Sequence, residues 1–502
     1  MSASSSRKKR QEQAKLPAAE RPKEKKKLSQ GWIFGICICL VIALLVGGLL
    51  IYRAVKNNRT VLTVGDHDVS VKEFNYFYNS TANNLASYAS YVGIETGVPL
   101  DQQYVTENGA TYLGLFGISS DYLTDKEATD GTYDVTWAQL IASAAKDTVV
   151  SAYAIYNEAM AAGYEIDDHL QGEIDESMEV MQGYADTNGE SLNHLIERVF
   201  GTGCSASGYR DYITVMQVAS HYPSSLRYDD ETIAARFDEE PENYTVATYY
   251  LYSVSASSFV EADEEGNTPE PGDEEKKKAE DDAKAMEKSF DVENEKVSIR
   301  TDNTRQSITS NVSEDAAAWI FDTAKDGDVK RFENSDGDTF YVIKLIDKSD
   351  YQTINGLELV ISADSEELTE GEIPAADKVA AIKASLEADP SEENFRSLIL
   401  KYGGEPEDLE NLTRANVANV SNEVLTWYME EAAAGKWIAT ESGGSTIFLY
   451  CTGISDNYST VAVTGVLASE WSQSVVDAAK EACGYDEAAA MSANVALSFN
   501  AN

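Results

Sequence analysis

Residues 322–333, DTAKDGDVKRFE, contain the residue types of a calcium-binding loop. Asp, Asp, Gly and Glu stand at its first, fifth, sixth and twelfth positions, as in an EF-hand loop. The third position is Ala324, which offers no side-chain oxygen. A helix end followed by a turn explains the same residues. We therefore predict no calcium site here.

The four histidines are the other residues whose type could support acid-base or metal chemistry. They are His67, His169, His194 and His221. We interpret these isolated residues as surface or capping residues. No G-x-S-x-G, H-E-x-x-H or phosphate-loop pattern occurs, and GTGCSA at 201–206 is predicted to be a loop after a helix. The sequence therefore predicts no cofactor and no metal.

Two segments of the chain carry the same pattern at a fixed distance. NVSEDAAAWIFDTAKDG, residues 311–327, is followed 108 residues later by NVSNEVLTWYMEEAAAG, residues 419–435. Asn, Val, Ser, Trp, Ala and Gly recur at matching places without a gap. A constant offset over this length indicates a duplicated domain, and two copies are too few for a long solenoid.

Each copy encodes a helix followed by a strand. Ser313 and Ser421 suit the N-cap, and Gly327 and Gly435 suit the C-terminal end. Ala316, Trp319, Ile320 and Ala324 have the spacing of one buried helical face, as do Val424, Trp427, Tyr428 and Ala432. The predicted strands are residues 247–256 and 338–346 in the first copy, and 356–363 and 445–453 in the second.

The duplicated region predicts an α+β fold with two tandem β-α-α-α-β domains, at residues 246–349 and 350–456. The first contains EADEEGNTPEPGDEE, residues 261–275, which is acidic and has little apolar surface. Such a composition is typical of a disordered loop. Residues 457–502 form a C-terminal segment with a helix predicted at 467–483.

Residues 60–245 are predicted to form a mostly helical domain. Ser70 and Glu73 fit a capping box where the first helix follows a short strand. The further helices are predicted at residues 137–162, 168–184, 191–199, 207–221 and 230–237. The region lacks the strands that a sheet enzyme would need.

A membrane anchor is predicted near the N-terminus. Residues 1–31 form a basic tail with ten Lys or Arg, and the apolar residues 32–52 are long enough to span a bilayer. The basic residues predict a cytoplasmic N-terminus. A cleaved signal peptide is the alternative, but the apolar run exceeds a typical h-region and no small-residue cleavage site stands out. We therefore expect a single-pass protein of the cell membrane whose bulk is extracytoplasmic.

The chain is strongly acidic, with 85 Asp and Glu against 40 Lys and Arg and a net charge of −45. Such a surface repels nucleic acid and anionic lipid, so we expect no nucleic-acid partner. Only three cysteines lie beyond the predicted span: Cys204, Cys451 and Cys483. They permit one disulfide, for which Cys451–Cys483 is the preferred pair.

These features together resemble extracytoplasmic foldases of the SurA/PrsA type. The anchor is followed by VLTVGDHDVSVKEF at the start of the helical domain, and DDETIAARFDEEPENYTVATYYL leads into the first duplicated domain. WIFDTAKDGDVKRFENSDGDTFYVIKLID, residues 319–347, is similar to the end of a parvulin-type peptidyl-prolyl isomerase domain. The resemblance implies a SurA N-terminal-like chaperone domain followed by two parvulin-like domains. It also implies that the C-terminal segment folds back onto the helical domain.

The resemblance also locates a site. Active parvulins carry one histidine on the first strand and one on the last, where this chain has Tyr249 or Tyr250 and Tyr341. All four histidines of this chain precede the repeat. We therefore predict no catalytic residue and a peptide-binding surface formed by Tyr249, Tyr250, Phe340 and Tyr341.

The expected function is that of a membrane-anchored chaperone or foldase that binds unfolded or partly folded secreted polypeptides. The parvulin-like domains would then serve as binding modules with degenerate catalytic sites. One alternative is an active isomerase in which tyrosine hydroxyls replace the histidines, because the barrier is a torsional one of about 20 kcal/mol. The other is a structural or adhesive protein of the cell envelope, which would bind one firm partner. The sequence leaves the oligomeric state open.

Overall fold

The structure is a computed structural model, and it describes residues 55–95, 97–260, 270–364, 373–418 and 421–493. The predicted basic tail and the predicted membrane span at residues 32–52 lie outside these ranges. None of the helices within the described ranges is both long enough and apolar enough to cross a bilayer.

The chain divides into two compact units. The first comprises the described residues up to Ala154, Ile174–Met216 and the described residues from Ala479. The second comprises Ile155–Glu173 and Gln217–Ala478, and it contains both copies of the repeat. Helices and small antiparallel sheets make up both units, which confirms the α+β class.

The helical region begins with the predicted strand and capped helix. Strands β1 (Thr60–Val64) and β2 (His67–Ser70) form a hairpin that leads into α1 (Val71–Ala86). The Ser70 side chain accepts from the Glu73 N–H, and the Glu73 carboxylate accepts from the Ser70 N–H. The capping box is therefore confirmed.

The long helices of this region lie close to the predicted positions. The next elements are α2 (Ala89–Val92), β3 (Tyr104–Thr106), α3 (Glu107–Ala110), β4 (Ala128–Thr129), β5 (Thr132–Thr136), α4 (Trp137–Ala161), α5 (Asp168–Asn188), α6 (Leu192–Phe200), α7 (Ala206–Ser225) and α8 (Asp230–Glu239). The sequence did not predict β3, β5 and β4, which form a small three-stranded sheet within this mostly helical region. These strands have two to five residues, too few to show a clear alternation of apolar and polar side chains.

The first copy of the repeat folds around a four-stranded antiparallel sheet with the order β7-β6-β9-β8. Its elements are β6 (Val246–Ser255), α9 (Asp273–Lys288), β7 (Val297–Thr304), α10 (Arg305–Asn311), α11 (Glu314–Ala318), a π-helical turn (Trp319–Thr323), β8 (Val329–Glu333) and β9 (Thr339–Asp347). Helix α9 begins inside the stretch predicted to be a disordered loop. Residues 261–269 of that stretch lie outside the described ranges.

The second copy repeats this plan with the sheet order β11-β10-β13-β12. Its elements are β10 (Gln352–Ile361), α12 (Ala375–Ala388), α13 (Glu392–Tyr402), β11 (Leu409–Leu412), α14 (Arg414–Ala418), α15 (Asn422–Glu430), β12 (Trp437–Ser442) and β13 (Ser445–Asn457). Each copy therefore has four strands, where the sequence predicted two. The missed strands, such as VSIRTDNT and VKRFE, are sheet edges, and their polar side chains hide the strand pattern.

The C-terminal segment returns to the start of the helical region. After α16 (Tyr458–Ala482), strand β14 (Gly484–Tyr485) pairs antiparallel with β1, with Leu62 opposite Tyr485. Helix α17 (Glu487–Ala493) then contacts α1. The fold-back implied by the resemblance is confirmed by this strand pair.

The sheet of the first copy has an apolar core on each face. Tyr249, Ile320 and Phe332 belong to the core under α11 and the π-helical turn. Tyr252 and Phe340 belong to the core under α9. The sheet therefore separates side chains that are neighbours in sequence, because successive residues of a strand point to opposite faces.

Candidate functional site

The four residues of the predicted peptide-binding surface lie on two faces of one sheet. Tyr249 is 1% exposed in the core under α11, and half-buried Tyr341 packs against the same core. Phe340 belongs to the opposite core, and the ring of Tyr250 lies 6.4 Å from that of Phe290, which packs on that opposite side. The structure thus brings Tyr249 and Tyr341 to one face and places Tyr250 and Phe340 on the other.

Burial changes the chemistry of the Tyr249 hydroxyl. It raises the pKa of Tyr249 to about 12, although the positive charge of Arg300 acts in the opposite direction. The hydroxyl therefore stays protonated at neutral pH and retains its proton for a hydrogen bond. With only 1% of the residue exposed, a substrate could reach this hydroxyl only after the core had opened.

A cavity of about 610 Å³ lies beside this core, between the π-helical turn and strand β8. Its lining residues are Ser313, Asp315, Ala318, Trp319, Asp322, Thr323, Lys330, Arg331, Phe332 and Glu333. A volume of this size is within the range of about 300–1,000 Å³ that small-molecule and peptide side-chain sites occupy. The π-helical turn itself is a feature that recurs at functional sites.

The aromatic rings of the cavity lie under a lysine. The Lys330 ammonium is 5.9 Å from the centroid of the Trp319 ring and 5.1 Å from that of Phe332. Trp319 was expected on the buried helical face, and it packs half-buried against the core that contains Ala316 and Ile320. It belongs to the π-helical turn, and its remaining surface borders the cavity.

Most of the other charges in the cavity have partners. Asp322 pairs with Arg305. The Arg331 guanidinium lies 3.4 Å from a Glu280 carboxylate oxygen, and the Arg331 backbone N–H donates to the Glu287 carboxylate at 3.0 Å. This last bond also occupies an outward N–H of the edge strand β8, which limits strand addition at that position.

The second copy differs at the corresponding residues. Trp427, which corresponds to Trp319 in the repeat, is only 6% exposed. Thr440 stands where the first copy has Phe332, and its hydroxyl lies 3.0 Å from Ser421 Oγ and 3.3 Å from a Glu423 carboxylate oxygen. The second copy thus has a polar cluster and a buried tryptophan where the first has two aromatic rings at a cavity.

A second polar cluster joins the two copies. Asp302 of β7 has a left-handed backbone, with φ of 53°, and its carboxylate accepts from the Tyr351 hydroxyl at 2.9 Å and the Ala415 N–H at 2.7 Å. Arg414 is 6% exposed, stacks on the Tyr351 ring at 3.9 Å and pairs with Asp347 at 2.6 Å. These contacts hold strands of the first copy against α14 of the second.

The two carboxylates of this cluster respond to it differently. Burial raises the pKa of Asp302 and outweighs the hydrogen bonds from Ala415 and Tyr351. Burial also acts to raise the pKa of Asp347, but there the hydrogen bonds from Ser349 and Arg414 prevail and the pKa is lowered. Arg414 is therefore neutralised mainly by Asp347.

A smaller cavity of about 330 Å³ lies in the first unit. Its lining residues are Lys72, Glu73, Tyr76, Phe77, Tyr153, Gly203, Ser205, Ser207, Gly208, Asp211 and Tyr212. The Tyr76 hydroxyl donates to Ser205 O at 2.9 Å, and the Ser205 N–H donates back to it at 2.8 Å. A Cβ at Gly208 would lie 2.5 Å from the Tyr76 hydroxyl, so only glycine fits there. The predicted loop at residues 201–206 is thus confirmed, and it forms one wall of an aromatic cavity.

Each histidine lies beside a glutamate. The contacts are His67–Glu73, His169–Glu173, His221–Glu173 and His194–Glu190. Within the described residues, no group of three His, Cys, Asp or Glu side chains could hold a metal ion.

The cysteines contradict the preferred disulfide. Cys204, Cys451 and Cys483 are all free thiols. Burial raises the pKa of Cys204 to about 12 and also raises that of Cys451. The pairing of Cys451 with Cys483 was therefore wrong: Cys451 is fully buried in the core of the second copy, whereas Cys483 is half-buried just after α16.

We expect Cys483 to react with iodoacetamide at pH 8 before the other two described cysteines, because a thiolate is the reactive form and burial disfavours it at Cys204 and Cys451. Peptide mass spectrometry after timed alkylation measures each site separately. Unfolding in urea without a reductant should then expose Cys204 and Cys451. Failure of Cys451 and Cys483 to react under those conditions would instead indicate a disulfide.

Comparison with known proteins gives similarity to solved structures alone. No protein-family model matches the chain, and no curated protein matches it. The solved structure of foldase protein PrsA from Streptococcus pneumoniae str. Canada MDR_19A is similar at 15% sequence identity and a TM-score of 0.21. The match covers 55% of this chain and 92% of that chain. At these values we base neither the fold nor the function on it.

The sequence did not single out Trp319, Phe332 and Lys330 as site residues. Trp319 matched a tryptophan in the other copy and was assigned with it to a buried face. The sequence marks this site through positions at which the two copies differ. At the offset of 108 residues, Lys330 and Phe332 correspond to Ile438 and Thr440. A change from apolar or small polar residues to a lysine and an aromatic ring distinguishes the two copies.

Proposed function

We propose that this protein is a membrane-anchored extracytoplasmic chaperone of the foldase type that binds nonnative secreted polypeptides. The observation that carries the proposal is the half-buried Trp319, which borders a cavity of about 610 Å³ in the first copy, whereas the corresponding Trp427 of the second copy is 6% exposed. Partly exposed aromatic surface of this kind accepts varied apolar side chains, as a holder of unfolded chains requires.

The aromatic cavity of the first unit supports the same function. Tyr76, Phe77, Tyr153 and Tyr212 give it apolar walls, while Lys72, Glu73 and Asp211 keep its lining polar enough to stay hydrated. Polypeptide binding by two separate cavities would raise the effective affinity for one long client without a tight contact at either.

Isomerase activity is the second candidate, and the observation that favours it is the buried Tyr249 hydroxyl on the sheet face that also carries Tyr341. A hydrogen-bond donor in a desolvated pocket could lower the torsional barrier of a prolyl bond. The parvulin histidine positions are occupied by tyrosines, so we propose binding rather than catalysis as the main activity.

Refolding of a reduced, proline-limited substrate tests both candidates in one experiment. We expect the protein to suppress light scattering by the substrate and to leave the refolding rate unchanged. A faster rate that Tyr249→Phe or Tyr341→Phe removes would show that the isomerase reading is right. If neither the scattering nor the rate changes, the chaperone proposal is wrong and a firm envelope partner should be sought.

A further inference from the structure

The Trp319 cavity has an unpaired carboxylate at its rim. Asp322 and Arg331 are neutralised by Arg305, Glu280 and Glu287. Asp315, one helical turn before Trp319, has no ion-pair partner among the residues that the structure describes, and it is exposed beside the cavity. Glu333 lies on the other face of the sheet with Phe340, because successive residues of β8 alternate. One free carboxylate therefore borders a floor made of Trp319 and Phe332.

Lys330 shows that the aromatic floor of the cavity can hold a cation. Its ammonium lies 5.1 Å from the Phe332 centroid and 5.9 Å from that of Trp319, within the range in which a cation is attracted to a ring face. Lys330 itself has no carboxylate partner among the described residues. The chain thus places one of its own ammonium groups on the aromatic surface of an otherwise open cavity.

The charge of the whole protein favours the same kind of ligand. With a net charge of −45, the protein attracts cationic polypeptides and repels acidic ones over the distance of a Debye length. A lysine or arginine side chain can lay its apolar stem on an aromatic ring and keep its charged end at a carboxylate. Trp319 and Asp315 provide these two surfaces together.

We propose that the Trp319 cavity binds basic segments of unfolded clients, with a client lysine or arginine on the aromatic floor and Lys330 as its internal competitor. The inference rests on the proposed chaperone function and adds the chemical class of the bound segment. The second copy does not share this role, because its counterparts of Phe332 and Lys330 are Thr440 and Ile438.

The test uses the full-length protein in detergent and three labelled, unfolded peptides that differ at one central residue: lysine, norleucine or glutamate. Norleucine keeps the length of the stem and removes the charge. We expect the lysine peptide to bind about fivefold more tightly than the norleucine peptide, and the glutamate peptide to bind most weakly. Added salt should reduce the difference between lysine and norleucine.

The variants separate the cavity from the overall charge. Lys330→Ala should strengthen binding of the lysine peptide about threefold, because it removes a like charge and frees the rings. The variant Asp315→Asn should abolish the preference for lysine over norleucine. Lys401→Ala is the matched control, since Lys401 lies 4.6 Å from the Tyr402 ring, away from the cavity, and should change nothing.

The outcomes distinguish this inference from the function on which it rests. Equal affinity for the lysine and norleucine peptides, with Trp319→Ala weakening both, would overturn the inference and leave the chaperone function in place. Weaker binding of the lysine peptide by Lys330→Ala would also overturn it. If none of the peptides binds, the proposed function fails together with the inference.

Discussion

Replacing Asp302 with alanine is expected to lower the free energy of unfolding of the duplicated domains by about 2–3 kcal/mol. The carboxylate accepts from the Tyr351 hydroxyl and from the Ala415 N–H, and Tyr351 is 8% exposed. Alanine leaves these donors without an acceptor where water has little access. Alanine also has no polar side-chain atom that could stabilise the left-handed backbone at a φ of 53°.

Asp302→Asn separates the charge of this residue from its geometry. Asparagine tolerates the left-handed backbone and keeps an oxygen for one donor. Because burial already disfavours the charged carboxylate, we expect a smaller loss, about 1 kcal/mol. Arg414 still has Asp347 as its partner in both variants.

Urea denaturation followed by circular dichroism measures these changes. Glu410→Ala is the control, because Glu410 stands 108 residues after Asp302 in the second copy and is exposed. We expect that control to stay within about 0.5 kcal/mol of the parent protein. If Asp302→Ala unfolds at the same urea concentration as Glu410→Ala, the cluster does not stabilise the junction between the copies.

The sequence predicts those parts of the fold that have a local physical signal. Ser70 and Glu73 mark a helix start because both groups of a capping box lie within one turn. The long helices, such as α4 and α7, follow from apolar spacing over many residues. The edge strands β7 and β8 give no such signal, since their partly exposed side chains are largely polar and the strands form through pairing with distant β6 and β9.

The candidate site was harder to predict because it depends on tertiary geometry. Four aromatic residues of β6 and β9 were chosen through the resemblance, at and beside the histidine positions of parvulins, but alternation along each strand divides them between two faces. Trp319 was assigned to a buried face, and the spacing gave no sign that part of its ring borders a cavity. Neither a change of helix type nor the space left by a neighbouring strand can be derived from apolar spacing alone.

The last prediction compares the two tryptophans of the repeat. Trp427→Ala is expected to lower the free energy of unfolding by about 3–5 kcal/mol, because a large side chain that is 6% exposed leaves a cavity in a packed core. Trp319→Ala should lower it by less, about 1–2 kcal/mol, since half-buried Trp319 already borders open space. The same substitution at equivalent positions thus has unequal structural effects.

Binding should show the reverse order. Trp319→Ala removes half of the aromatic floor and is expected to weaken binding of an unfolded client about tenfold, while Trp427→Ala, measured at a temperature where it stays folded, should leave that affinity unchanged. Urea denaturation measures the free energy of unfolding, and fluorescence anisotropy with a labelled client measures the affinity, on the same preparations. Equal losses of stability in the two variants would mean that Trp319 is a core residue like Trp427. Equal losses of affinity would mean that the duplicated domains have not diverged in function, because a site confined to the first copy cannot respond to a change in the core of the second.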